Sequence, residues 1–182
     1  MHHIAPYLQA ERIQERIAEM AAEINASYGH LQPDERLIVV AVLKGSFLFL
    51  ADLVRHLTIP LEIEFVRLAS YHGGTQSSGS VRPVDLSLPN LTGKDVLIIE
   101  DIVDTGLTLK FFADYLQSLH QTRSQRVAVL LDKPSARHLE AQQPIDYVGF
   151  EVGSEFLVGY GLDYDGLYRN LPFIGVLQPN DL

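Results

Sequence analysis

The sequence predicts an α/β fold, a mostly parallel, twisted sheet flanked by helices. Three observations carry this. The runs LIVVAVL (37–43), VLII (96–99) and RVAVLL (126–131) are almost wholly apolar over strand length, the pattern of strands buried on both faces of a parallel sheet. The first two runs pass through a short turn into a helical pattern, so one strand, turn, helix grammar occurs twice. The 182 residues, 47% hydrophobic, suit one domain with a real core, and no internal repeat divides them.

Composition narrows the chemistry. The absence of cysteine excludes disulfides, thiolate zinc sites and a cysteine nucleophile, and is compatible with a reducing cytosol. A net charge of -9 argues against broad nucleic-acid binding, so an anionic substrate must meet a local positive patch or bring its own Mg²⁺. No apolar run approaches about 18 residues and the N-terminus has no signal-type apolar core, which predicts a soluble, cytoplasmic protein.

From residue 11 to 26, Ile13, Ile17, Met20, Ala21 and Ile24 recur at spacings of three and four, predicting an amphipathic helix that packs on the sheet. Strand 37–43 ends in Lys44-Gly45-Ser46 before a helical run over 47–57. Doubly wound folds place ligands at this C-terminal edge, so Lys44 and Gly45 form a candidate anion site; the alternative is an ordinary turn with Ser46 as helix cap. Residues 61–69 alternate Leu61, Ile63 and Phe65 with Glu62, Glu64 and Arg67, a strand with one face more polar. The Gly/Ser-rich stretch that begins at Ser70 and Tyr71 cannot bury itself, and reads as a flexible lid loop over about 70–83, or else a plain hairpin tip. Residues 81–88 return as a strand and lead through Asn90 and Gly93 to the central motif.

That motif is VLIIEDIVDTGLTL, residues 96–109. Its strand ends in two adjacent carboxylates, Glu100 and Asp101, and a helical pattern starts at Leu109 and continues through Phe112, Ala113, Leu116 and Leu119. Between them, Gly106 lets the backbone come close, and the hydroxyls of Thr105 and Thr108 join the unpaired N–H groups of the helix start to make a phosphate site. Each dipole interaction is worth only ~0.3–1 kcal/mol, so several converging donors must share the task. The two acids would repel a phosphate unless they accept sugar hydroxyls or hold a hard cation such as Mg²⁺. A phosphorylated sugar with a free diol satisfies all of these groups, whereas the alternative has Asp104 and Thr105 merely capping a helix. A P-loop is excluded because Leu88 and Asp95 stand where Gly and Ser or Thr would be needed around Gly93 and Lys94, and no G-x-G-x-x-G occurs.

Beyond it, strand 126–131 is terminated by Asp132-Lys133-Pro134; Pro134 cannot continue a ladder, which leaves Lys133 pointing out at the same sheet edge. Residues 147–152 form a further strand. The aromatic and glycine density over 156–173 exceeds what a helix or solvated tail needs, although core packing alone would also use it.

EDIVDTGLT (100–108) resembles the phosphoribosyl-pyrophosphate (PRPP) signature of the type I phosphoribosyltransferases, and F-x-V-G-Y-G-x-D-Y-x-x-x-Y-R-x-L-P, from Phe156 onward, is similar to the C-terminal hood of their hypoxanthine-guanine members. Four ordered motifs carry the resemblance across residues 43–177. It implies the type I phosphoribosyltransferase fold over 1–182, with a small hood from about 153–182 and part of the N-terminus. Glu100, Asp101, Asp104, Thr105, Gly106, Thr108, Lys44, Gly45 and Arg169 would bind PRPP, with a non-proline cis peptide at Lys44–Gly45. Lys133 would donate to the purine 6-oxo group, Phe156 would stack on the base, the backbone of Leu157 would read its edge, and Ser70 and Tyr71 would cover the reaction centre. Mg²⁺ would be held by Glu100 and Asp101, and a second ion by Asp163. Asp104 is the implied base that accepts the N7 proton as N9 attacks.

The activity implied is purine salvage: PRPP plus hypoxanthine or guanine gives IMP or GMP plus pyrophosphate. Two alternatives stay open, a transferase for xanthine or a pyrimidine, and a PRPP-sensing, RNA-binding regulator on the same fold. The expected partners are the two substrates and further copies of the chain in a dimer or tetramer, without membrane or nucleic acid.

Overall fold

A computed structural model describes residues 4–70, 81–141 and 143–178. The apolar runs build one sheet of six strands: β2 (Leu37–Leu43), β3 (Leu61–Ser70), β4 (Val81–Asp85), β5 (Asp95–Val103), β6 (Ser124–Asp132) and β7 (Tyr147–Glu151), in the order β4-β3-β2-β5-β6-β7. β2, β3, β5, β6 and β7 run parallel, and β4 alone is antiparallel. A second sheet pairs β1 (Pro6–Leu8) with β9 (Ile174–Leu177), and β9 with β8 (Phe156–Val158), all antiparallel.

Helices cover the parallel sheet on both faces, as continuous apolar strands require. On one face, helix α1 (Ala10–Ser27) buries Ile13, Ile17, Met20 and Ile24, and helix α2 (Phe47–His56) buries Phe49, Leu50 and Leu53, against Val39, Ala41, Leu97, Ile99 and Leu130. On the other, helix α3 (Leu107–Leu119) sets Leu109, Phe112 and Leu116 on Val40, Ile98 and Val129. The chain thus leaves β2 through a helix on one face and β5 through a helix on the other. Adjacent strands that diverge in this way open a crevice at their C-terminal ends, the usual ligand position in such sheets.

Four expectations shift. β5 does not stop before the acids: Glu100, Ile102 and Val103 stay in register with Val129, Leu131 and Asp132, because β6 is long enough to pair them. Consequently α3 starts at Leu107, not at Leu109. β4 ends at Asp85 rather than 88, where the Asp85 carboxylate accepts the N–H of Ser87 and turns the chain. On β3, Ile63 and Phe65 lie level with Val39 and Ala41 on the sheet face that carries α1 and α2, yet they are 39% and 48% exposed, whereas Leu61 at the start of the strand packs against the helix-covered core.

At the far rim, Arg16 of α1 donates to the carbonyls of Val148 and Gly149 on the outer strand β7. At the N-terminal end of the sheet, buried Asp95 accepts Arg123 at 2.6 Å and Ser124 at 2.6 Å, and Arg123 also pairs with Glu35 at 2.5 Å. Burial, which alone would raise the Asp95 pKa, is outweighed by Arg123 and Ser124, and the carboxyl is held below its usual range.

Candidate active site

The crevice between β2 and β5 gathers the charged residues. After β5, Asp104 is exposed and Thr105 and Thr108 are half-buried, while Gly106 is buried with φ +79 at the start of α3. A Cβ on Gly106 would stand 2.8 Å from the Ala141 carbonyl, so only glycine fits under the 138–141 segment, whose His138 N–H also donates to the Thr105 carbonyl at 3.0 Å. The residue before α3, Gly106, has no side chain to cap the helix, and of the first N–H groups only that of Leu107 reaches a hydroxyl, Thr105 Oγ1, at a long 3.5 Å. Thr105 therefore caps weakly, and the helix start keeps donors for an anion.

Glu100 is 8% exposed, and its Oε2 is buried with no hydrogen-bond partner. Burial first, and then the neighbouring Asp101, push its carboxyl well above the ordinary range. Asp101 is raised as well, by burial, although backbone N–H groups, Glu100 and the charge of Arg169 pull it back. Two carboxyls crowded at a strand end, one with an orphaned oxygen, form a site short of a positive or hydrogen-donating partner.

The turn after β2 closes on this pair. A Cβ on Gly45 would lie 1.7 Å from Asp101 Oδ2, so any other residue there would push the Asp101 carboxylate from its place. Lys44 is exposed beside it. The cis peptide lies at Leu43–Lys44, one residue before the Lys44–Gly45 bond that the resemblance implied, at the last β2 residue. Ser46 is buried and donates its hydroxyl to the Val42 carbonyl at 2.6 Å instead of capping α2, which corrects the simple N-cap alternative.

The aromatic segment arrives from the other side. Gly161 has φ +100, and its missing side chain makes room for the Gly45 carbonyl, 2.1 Å from where a Cβ would be. Arg169 donates to the Gly161 carbonyl at 2.6 Å and pairs with Asp163 at 2.6 Å, while Asp163 Oδ2 accepts the N–H of Gly166. Phe156 is 41% exposed and stands edge-on to Tyr164 at 5.6 Å, leaving a face for a flat ring, whereas Leu157 beside it is buried in β8.

Lys133 departs from expectation. It is 8% exposed rather than pointing out, and its Nζ donates to the carbonyl of Glu155 at 2.9 Å, so the strand end ties down the segment before Phe156. Pro134 does end the ladder, but the lysine finds a partner 22 residues along the chain. Ser70 closes β3; Tyr71 and the rest of the expected lid through residue 80 lie outside the described residues. Among the described residues no group of three or more acidic or histidine side chains is gathered as a metal cage, so Glu100 with Asp101, and Asp163 apart from them, offer only partial ligand sets.

Sequence reasoning gave no role to Gly161, His138 or Ala141. Each acts through backbone contacts with a distant turn, and the positive φ of Gly161 within Gly159-Tyr160-Gly161 was the one local sign.

A model of the phosphoribosyl transferase domain matches residues 3–165. Hypoxanthine phosphoribosyltransferase of Haemophilus influenzae is 44% identical over 174 residues, covering 96% of this chain and 95% of that protein. Hypoxanthine-guanine phosphoribosyltransferase of Bacillus subtilis is 42% identical over 94% of this chain and 92% of its own. Among solved structures, a hypoxanthine phosphoribosyltransferase from Staphylococcus aureus superposes with TM-score 0.86 at 43% identity, over 97% of this chain and 92% of that one. The enzyme from Trypanosoma cruzi, in a ternary substrates complex, gives 0.87 at 39% identity over 97% and 96%. On that match and those identities, this chain belongs to the phosphoribosyltransferase family, on its hypoxanthine-guanine branch.

Proposed function

We propose that the chain is a purine salvage enzyme that transfers the phosphoribosyl group of PRPP to hypoxanthine or guanine, giving IMP or GMP and pyrophosphate. The observation that carries the reading is the approach of Gly45 and the charge of Arg169 to Asp101 of the acid pair, with the 104–108 turn and its helix start following three residues on.

In this reading Thr105, Gly106 and Thr108 hold the 5′-phosphate at the start of α3, and Glu100 and Asp101 hold the ribose diol, so the anomeric carbon is fixed over the crevice. Lys44, Gly45 and Arg169 receive the pyrophosphate, and Lys44 and Arg169 stabilise its negative charge as the C1′–O bond breaks. Phe156 stacks on the base, the Leu157 backbone reads its edge and Lys133 faces the 6-oxo group. N9 bonds to C1′, and the proton on N7 passes to Asp104. Hard oxygen donors, one of them the unpartnered Glu100 Oε2, fit Mg²⁺ at Glu100 and Asp101, with Asp163 a further carboxylate ligand. Bound there, the ion would offset the charge of the pyrophosphate. The three-stranded sheet serves as the hood over the base, and the segment that starts at Ser70 and Tyr71 as the lid.

Copies of the chain associate, in this reading, through exposed apolar side chains, with Phe47 on α2 and Ile63 and Phe65 on β3 as candidates. Light scattering tests this: a monomer at all working concentrations rejects it. A cytoplasmic setting accords with the substrates, and no helix among the described residues is long and apolar enough to cross a membrane. A spectrophotometric screen of hypoxanthine, guanine, xanthine and uracil with PRPP and Mg²⁺ tests the function. Turnover of the first two is expected; turnover of a pyrimidine alone, or of no base, rejects the reading.

A further inference from the structure

Three residues far apart in sequence meet beside the crevice in a cluster that the reaction above does not use. Asp52, the one acid of α2, accepts the Tyr160 hydroxyl, and the side-chain amide of Gln14 on α1 donates to Asp52 Oδ2 at 2.7 Å and to the Tyr160 oxygen at 3.2 Å. Arg55, one turn along, pairs with the same carboxylate. Tyr160 is buried, and burial together with Asp52 drives its phenol far upward, so it is always a donor. Burial opposes the charge of Asp52, but Tyr160, Gln14 and Arg55 outweigh it and hold the carboxyl below its ordinary range, so it is always an acceptor. The bond therefore persists across the neutral range.

Its position gives it a purpose. Tyr160 directly precedes Gly161, whose open Cβ position takes the Gly45 carbonyl, and α2, which carries Asp52, begins two residues after Gly45. The 159–162 hairpin is held independently, by Tyr160 N–H to the Leu171 carbonyl at 2.9 Å and Gly161 N–H to the Arg169 carbonyl at 3.0 Å. The Lys44–Gly45 turn is held by the 3.3 Å bond from Phe47 N–H to the Lys44 carbonyl and, one residue on, by the Ser46 hydroxyl on the Val42 carbonyl at 2.6 Å, neither of which ties it to the hairpin. We infer that Tyr160 and Asp52 are a positioning pair that holds the Lys44–Gly45 turn against the 159–162 hairpin and thereby sets affinity for the pyrophosphate end of PRPP without touching it. The inference rests on the reading of Lys44 and Gly45 as the pyrophosphate site.

Steady-state kinetics of Tyr160→Phe, Asp52→Ala and the double variant, in both reaction directions, test the pair. Because a displacement of about 1 Å can cost about a hundredfold, partial loosening should raise KM for PRPP and for pyrophosphate by about five- to thirtyfold in each single variant. KM for hypoxanthine should stay within about twofold, and the double variant should be no worse than either single one, as for one shared interaction. Asp52→Asn keeps an acceptor for the phenol and should restore most of the PRPP affinity. Wild-type KM for PRPP in both single variants, multiplicative losses in the double variant, or an equal rise in KM for the base would each overturn the inference. If Tyr160→Phe does not fold, Asp52→Ala against Asp52→Asn carries the same comparison. An inactive wild type rejects the functional reading and the pair with it, whereas an active wild type with unaltered variants rejects the pair alone.

Discussion

Replacing Gly161 with alanine perturbs the contact between the hairpin and the Lys44–Gly45 turn, the proposed pyrophosphate site, with the least change of chemistry. The new Cβ would stand 2.1 Å from the Gly45 carbonyl oxygen, and contacts below 3.0 Å essentially do not occur, so hairpin and turn must separate by at least 0.9 Å. Both partners are backbone, so no rotamer change relieves the clash. A misplacement of about 1 Å costs up to about 10²-fold in rate, or about 2.7 kcal/mol, and kcat/KM for PRPP should fall by about that factor. Gly166→Ala is the control. Gly166 also has positive φ, +77, but nothing lies within 4 Å of its Cβ position, so that variant carries backbone strain of about 1 kcal/mol without the collision. The assay is initial rate against PRPP at saturating hypoxanthine, with thermal unfolding in parallel. Gly166→Ala should lose melting temperature and little activity. Equal activity losses in the two variants, or Gly161→Ala within about threefold of wild type, would refute the reasoning from contact geometry.

Asp104→Asn should lower kcat by about 10²–10⁴-fold while PRPP binding, followed by calorimetry, changes little; unchanged turnover removes Asp104 from the role of base. Phe156→Ala should raise KM for the base by the loss of about 1–3 kcal/mol of stacking and leave KM for PRPP alone, so a rise in both would reassign Phe156 to the architecture of the hood. Glu100 is raised above 4.5 by folding, so above that pH the unfolded chain has released a proton that the folded chain still holds, and stability must fall as pH rises. The slope reaches about 1.4 kcal/mol per pH unit for one proton; Asp101, also raised by burial, adds to it with the same sign, so Glu100→Gln should reduce the slope in urea titrations without Mg²⁺, and an unaltered slope assigns it elsewhere. Arg123→Ala strips Asp95 of its main partner and should cost about 2–4 kcal/mol, lowering the melting temperature with no effect on kcat, because the cluster lies at the opposite end of the sheet; a parallel loss of kcat would contradict that separation.

Long continuous runs were the most legible part of the chain. LIVVAVL is β2 residue for residue, because no polar interruption allows another reading. The turn at 104–108 was legible for a related reason, since a strand that passes through glycine into a helix constrains its own geometry, whereas the strand's continuation past Glu100 and Asp101 to Val103 depends on pairing with β6. What escaped notice depends on partners remote in sequence. Nothing near Lys133 announces the Glu155 carbonyl on which its Nζ ends, and nothing near Ile63 and Phe65 says that they stay exposed while Leu61 on the same strand packs into the core. β1 has three residues, too few for any period, and exists because β9 is there to pair with it.

The grip of Arg16 on the Val148 and Gly149 carbonyls affects how whole molecules can meet. An outer strand with free carbonyls invites a foreign strand to add to it, and here a guanidinium already occupies two of those acceptors. The opposite margin is a five-residue strand interrupted by Pro83, which lacks an amide to offer. With both margins blunted, endless extension of the sheet from molecule to molecule is disfavoured.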